Sequence, residues 1–383
     1  MSRIARIEAW PANAPLEATY LMATGSVPGI SRTIVRVTTE DGLVGLGESA
    51  STTDAEVLLG QLGQAFVGRE TDAVRDELSP VPLSRPEHRT DGQVVIHTPY
   101  TGLEIALWDI AAREAAVPLH EFFGGSCPST VAFSEYFAYR PGRDETPADI
   151  AAYCARMAEQ HGSSVFEGKV AAAPLEEDVR MVSEIRAAIG TDPELRLDAN
   201  MGWRPETARR ALELLEPFAI ANLEEPVASF ADMADLRRRT TIPFSAHTPD
   251  VEEAARLGAP DTIVVGLGPF GGIGGTRRLI AACEEAGVGF WFYSGDFGIA
   301  TAAYLQIAAA TPYMTGPSQS LLRWTTDDVI AGGPFSPEDG VVAVPTGPGL
   351  GVELDEVALR RCIERYERDG AYDFYTGGPV PRY

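Results

Sequence analysis

The chain has 383 residues, 45% of them apolar and 22% charged, and a net charge of −24. So acidic a surface argues against a polyanion such as nucleic acid, or an anionic membrane face, as partner. The length exceeds what one core usually organises, so two domains are expected, one of them large.

The opening MSRIARIEAW lacks the apolar core of a secretion signal, and no later apolar run approaches the roughly twenty residues that span a bilayer. A cytoplasmic location is expected. Cys127, Cys154, Cys283 and Cys362 are scattered without a close pair or zinc-like spacing, and they read as reduced structural thiols.

In chain order, residues 3–10 and 32–39 alternate in the manner of strands, and Glu40-Asp41-Gly42 turns the chain into LVGLGES as a hairpin. Segments 54–67 and 100–117 are helical in pattern, the second ending at Pro118. Residues 1–125 therefore read as a small antiparallel sheet followed by helices, an α+β module closed by Gly124-Gly125. Over 126–330 strands and helices alternate: VAFSEYFAY, SSVFEGKV, LRLDAN, AIANLEEP, IPFSAH, TIVVGL and GFWFYS precede helical patterns at 147–161, 175–189, 205–215, 230–239, 250–257, 274–286 and 298–310. Roughly seven or eight such units fit an α/β fold of the (β/α) barrel type better than an open sheet. Residues 331–383 leave the repeat and are expected to pack back on the first module.

In a (β/α) barrel the chemistry gathers at the C-terminal ends of the strands. There the apolar runs are interrupted by Lys169, Asp198 with Asn200, Glu224 with Glu225, His247 and Tyr293, spaced by about one strand-helix unit, or two for the last. Each projects from its own strand into one mouth. Lys169 is the single lysine among 31 lysines and arginines. Arginine serves surface charge equally well but cannot give up its proton, so this position reads as needing a base. A coding bias towards arginine is the competing explanation, and position decides between them.

Asp198 and Glu224 on adjacent strand ends repel unless a cation lies between them, and carboxylate oxygens suit a hard divalent ion such as Mg²⁺. A lysine beside that ion has its ammonium form disfavoured by charge and burial, which leaves an amine able to take a proton. The ion also stabilises the enediolate formed when a proton leaves the carbon next to a carboxylate. Taken singly, such carboxylates are more often helix caps or loop ion pairs.

With Lys169 on the second barrel strand, LRLDANMGW on the third, NLEEP on the fourth, GGIGG on the sixth, GPGLGVELDE near the end, and LEIALWD and PLHEFFGG at the junction, the sequence resembles the enolase superfamily, in the mandelate racemase and muconate lactonizing group. The resemblance implies a modified TIM barrel under a capping domain built from the N-terminal module and the C-terminal tail. It implies that Asp198 and Glu224 bind Mg²⁺ and that Lys169 abstracts the α-proton of a carboxylate. The family commonly pairs two lysines on this strand. Here Glu167 takes the first place, where it raises the pKa of Lys169 if the two lie close.

The fifth-strand ligand of the family is Glu or Asp, or Asn in the glucarate dehydratase subgroup, and His247 stands at that place. An imidazole suits Mn²⁺ or another softer divalent ion better than Mg²⁺, so His247 is either a third ligand or a strand-end hydrogen-bonder. Asp250 is either a reserve ligand or the start of the next helix. The His-Asp dyad that glucarate dehydratases and mandelate racemases carry on the seventh and sixth strands is replaced by Tyr293 and Gly266. A two-base racemase is therefore disfavoured.

What remains is a lyase related to glucarate dehydratases: Lys169 removes the α-proton of a hydroxylated carboxylate such as a sugar acid, and a β-hydroxyl leaves as water. Tyr293 is the candidate acid and Asp296 a second one. Asn200, Glu225, Arg140 at the end of the first strand, and the loop 20–31 are candidates for holding the substrate; for Arg140 a structural ion pair is equally open. A one-base epimerase or cycloisomerase, or a carboxylate-binding pseudoenzyme, is the alternative. The expected partner is a small-molecule carboxylate, and the expected state a homo-oligomer.

Overall fold

The computed structural model describes residues 2–79, 87–88, 94–95, 99–125 and 128–372, so the thiol reading of Cys127 lies outside the described residues. The first module opens with an antiparallel sheet of β1 (Ile4–Met22), β2 (Gly25–Thr39) and β3 (Val44–Ser49), in that order. The stretch expected as a loop over 20–31 is instead the tip of one long β1–β2 hairpin, turning at Ala23 and Thr24. Three prolines hide it in the sequence. Pro11 and Pro15 lie on β1, an edge strand where a missing N–H costs no ladder bond, and Pro28 lies on β2 beyond the reach of β3.

A helix over Thr101–Glu114 covers this sheet, burying Leu103, Ala106, Leu107 and Ile110 against Ile7, Val35 and Val37. The approach is close because β3 carries glycine: a Cβ at Gly47 would lie 1.8 Å from the carbonyl oxygen of Gly102. The helix expected over 54–67 is broken at Gly60 into Asp54–Leu59 and Gln61–Gln64, and a helix over Thr71–Leu78 was not anticipated.

Eight parallel strands follow in sequential order: Glu135–Phe137, Val165–Lys169, Glu194–Asp198, Ile220–Glu224, Phe244–Ala246, Thr262–Val265, Gly289–Ser294 and Gln319–Ser320. The ring closes where the Ser134 N–H donates to Ser318 O (2.8 Å) and the Ser318 N–H to Ala132 O (3.0 Å). Helices over Pro147–His161, Leu175–Ile189, Pro205–Leu215, Phe230–Arg237, Val251–Leu257, Ile273–Ala286 and Gly298–Ala310 alternate with the strands. Their starts follow local rules: Thr146 and Asp149 form a capping box, and Pro147 and Pro205 occupy first-turn positions.

The tail returns to the first module. Val341–Ala343 pairs antiparallel with Thr130–Ala132, and the helix Glu356–Asp369 lies on β1, where Arg365 donates to Asn13 O (2.8 Å). Cap and barrel are joined by acids from the cap that fill barrel-helix N-termini. Glu104 accepts from the Ile273 and Gly274 N–H groups (2.8 and 2.9 Å), and Glu48 from those of Phe297 and Ala300 (2.8 and 2.9 Å). Burial raises both carboxyls, Glu104 to about 6. No helix among the described residues is long and apolar enough to cross a membrane.

Candidate active site

Asp198, Glu224 and His247 end the third, fourth and fifth strand regions, and one ligand atom from each lies within 4.8 Å of the others. The backbone is bent for this purpose at the strand ends: Asn200, Met201 and Glu225 have φ of 43°, 58° and 41°, a left-handed conformation uncommon for side-chain-bearing residues and frequent at functional sites. Asn200 fixes Asp198, its N–H donating to Oδ1 (2.8 Å) and its side-chain amide to Oδ2 (3.1 Å). Glu225 accepts from the His247 N–H (3.1 Å), and burial raises its carboxyl to about 7.

His247 Nδ1 lies 2.7 Å from Val264 O, and since a carbonyl can only accept, Nδ1 carries the proton. Its Nε2 therefore faces the buried Glu224 Oε1 at 2.9 Å. Burial is the largest influence on His247 and lowers its pKa, but Glu224, by charge and hydrogen bond, with Glu225 and Asp198 together outweighs it and pushes the imidazolium up to about 10. An orphaned carboxylate oxygen, an imidazole nitrogen and Asp198 in one cluster, each held from behind by a hydrogen bond, fit a divalent ion. Asp250 does not join them. It caps the helix Val251–Leu257 by accepting from the Glu253 N–H (2.9 Å).

Lys169 is buried, ion-paired to Asp198 Oδ2, with Nζ 5.7 Å from the centre of the Tyr136 ring. Burial is the largest single influence and opposes its ammonium, yet Asp198, Tyr136, Tyr20 and Glu224 together outweigh it and raise the pKa well above the ordinary value. Glu167 is not what acts here. Its Oε1 accepts from Gln319 Nε2 (2.6 Å) and its Oε2 from Ser134 Oγ (3.2 Å), below the mouth, and the strongest influences on Lys169 are Asp198, Tyr136, Tyr20 and Glu224. Burial raises Glu167 itself to about 7.

Tyr293 stacks edge-on against His247, ring centres 5.1 Å apart. A Cβ at Gly266 would lie 3.3 Å from the Tyr293 ring and 2.9 Å from the Tyr304 hydroxyl, so these tyrosines fill the space of any side chain there. Asp296 accepts from Arg32 of the cap and from the Tyr304 hydroxyl, which leaves it engaged on both oxygens. Arg140 has no exposure. It pairs with Asp144 and Glu17, and its guanidinium lies 4.3 Å over Trp324. The structural ion pair is what the structure shows for Arg140.

Two residues that sequence reasoning missed are Gln319 and Tyr136. Gln319 lies in the polar stretch TGPSQS, with no apolar run to mark a strand, and the eighth strand, two residues long, escapes pattern reading. Tyr136 is indistinguishable by sequence from a core aromatic.

Residues 5–124 match the mandelate racemase/muconate lactonizing enzyme N-terminal domain, and residues 149–358 the enolase C-terminal domain-like family. The chain is 28% identical over 378 residues to a probable glucarate dehydratase of Streptomyces coelicolor, covering 89% of this chain and 86% of that one. It is also 28% identical over 396 residues to muconate cycloisomerase 1-1 of Acinetobacter lwoffii, covering 96% and 97%. Among solved structures, an enolase from Pseudomonas fluorescens with bound magnesium, potassium and tartrate superposes with a TM-score of 0.88 at 25% identity, over 100% of this chain and 99% of that one. With both of its domains matched and the fold shared from end to end, the chain belongs to the mandelate racemase/muconate lactonizing enzyme group of the enolase superfamily.

Proposed function

We propose that this protein is a metal-dependent lyase that dehydrates a hydroxylated carboxylate such as a sugar acid. The observation that carries the reading is the placement of one buried amine, Lys169, against the Asp198–Glu224–His247 cluster, opposite a wall made of Tyr293 and a glycine. Asp198, Glu224 and His247 would hold the divalent ion, with Mg²⁺ supported by the magnesium of the Pseudomonas relative and Mn²⁺ by the imidazole. When bound, the ion supplies positive charge for the substrate carboxylate and its developing enediolate.

The chain's own groups do the rest. Once the Asp198 charge is compensated, burial governs Lys169 and the amine is released to act as base. Lys169 Nζ takes the α-proton, and the electron pair of that C–H bond forms the Cα–Cβ double bond. The β C–O bond breaks, and the departing hydroxide takes the Tyr293 proton to leave as water. The enol product then tautomerises to a 2-keto-3-deoxy acid. Asp296, engaged by Arg32 and Tyr304, does not serve as that acid.

The likeness to a muconate cycloisomerase favours a second reading, a one-base cycloisomerase or epimerase using the same lysine. Proton NMR in D₂O with Mg²⁺ or Mn²⁺ against a library of sugar and hydroxy acids separates them. Loss of the α-proton with a new 2-keto-3-deoxy product supports the lyase. Exchange of the α-proton without elimination supports the second reading, and silence across the library refutes both.

A further inference from the structure

We infer that Gln319 is a positioning residue for the candidate metal ligand Glu224, holding one of its oxygens so that the other stays turned towards Asp198 and His247. The terminal torsion of a glutamate is broad, so nothing in the side chain itself decides which oxygen faces which way. Gln319 Nε2 donates to Glu224 Oε2 and also to Glu167 Oε1 (2.6 Å), reaching from the eighth strand to the second and the fourth. Ser245 Oγ donates to the same Glu224 Oε2 (3.1 Å) and to Asn222 Oδ1 (2.7 Å). Gln319 and Ser245 thus both donate to Oε2, while Oε1, wholly buried, is left to face His247 Nε2 at 2.9 Å. All four partners are buried, so no water competes for these donors.

The two amide protons also separate two acids. Glu167 and Glu224 sit one strand apart inside the barrel, and the Gln319 amide is the neutral donor that serves both. Without it the two carboxylates face each other with fewer donors, and Glu224 is free to turn Oε1 away from the ligand cluster. Arg196, 3.9 Å from Glu167 and stacked 4.4 Å from Trp291, is a further partner of Glu167.

The test is Mn²⁺ binding to the full-length protein, read by electron paramagnetic resonance and titration calorimetry, which needs no substrate and no turnover. Gln319→Met, of similar length and without donors, is expected to weaken Mn²⁺ about 10- to 100-fold, the usual effect of losing a group that orients a ligand. Glu167→Gln removes the second carboxylate's charge while keeping an oxygen that accepts from the amide, and is expected to leave Mn²⁺ affinity within about twofold of wild type. A purely structural role would lower the melting temperature of both variants and leave both affinities alike. Wild-type affinity in Gln319→Met, equal weakening in the two variants, or no Mn²⁺ binding by the wild type overturns the inference. Should Gln319→Met not fold, Gln319→Asn, which keeps the amide one methylene short, carries the same comparison.

Discussion

Replacing Arg140 by methionine separates a structural arginine from a substrate-binding one. The guanidinium has no exposure, lies between Asp144 and Glu17 and stacks on Trp324 and Tyr153 at 4.3 and 4.7 Å. Methionine keeps much of the packing but strands Asp144, itself buried, whereas Glu17 is 21% exposed and regains water. Removing one partner of a buried pair costs about 3–5 kcal/mol, and the exposure of Glu17 places the loss near the lower end. For a chain of this size that corresponds to a fall in melting temperature on the order of 4 °C. Adding Asp144→Asn and Glu17→Gln should recover part of it, because no charge then remains stranded. Thermal unfolding by circular dichroism reads the stability, and KM for the carboxylate substrate reads the site. A variant that melts with the wild type yet raises KM tenfold or more would refute the argument and put the guanidinium on the ligand.

Three further outcomes are expected. Lys169→Arg should retain fold and Mn²⁺ binding while turnover falls by at least about 100-fold, since a guanidinium cannot accept the α-proton; undiminished turnover would remove Lys169 as base. His247→Asn, placing an oxygen donor in the cluster, should tighten Mg²⁺ relative to Mn²⁺ by calorimetry, and unchanged affinities for both would take His247 out of the ligand set. Asp178 accepts from the Ala171 N–H (2.7 Å) just beyond Lys169, and burial raises its carboxyl from 3.8 to about 8. Raised in the folded state, it contributes stability that is present below about pH 4 and lost as pH rises through about 8, on the order of 5 kcal/mol when fully ionised. Asp178→Asn should therefore flatten the decline in melting temperature between about pH 4 and 8, and parallel profiles would refute this.

The barrel was legible because its strands are short buried runs ending in polar residues, its helices are amphipathic, and proline and glycine mark the joints. Lys169, Asp198, Glu224 and His247 were visible for the same reason: each breaks an apolar run at a strand end. The β1–β2 hairpin was hidden because Pro11, Pro15 and Pro28 argue against strand locally, and only the edge position explains them. Arg140 was ambiguous because Glu17 lies in the other module, and no local pattern reports a contact made across the chain. The direct pairing of Lys169 with Asp198 was not legible, because the sequence places the two at neighbouring strand ends without showing the contact. Glu167 stood two residues from Lys169 on one face of a strand, yet the barrel directs it to Gln319 and Ser134 below.

Glu48 and Glu104 of the cap supply the N-terminal hydrogen bonds of two barrel helices, and Arg32 holds the loop after the seventh strand through Asp296 and Gly295 O. The two domains are therefore not interchangeable parts. A chimaera that joined this barrel to the cap of a relative lacking these three side chains would expose four helix N–H groups to an apolar seam and leave Asp296 buried without its cation. Lineages that trade one cap for another to change substrate would have to carry Arg32, Glu48 and Glu104 along as a set, so these positions constrain which recombinations yield a folded enzyme.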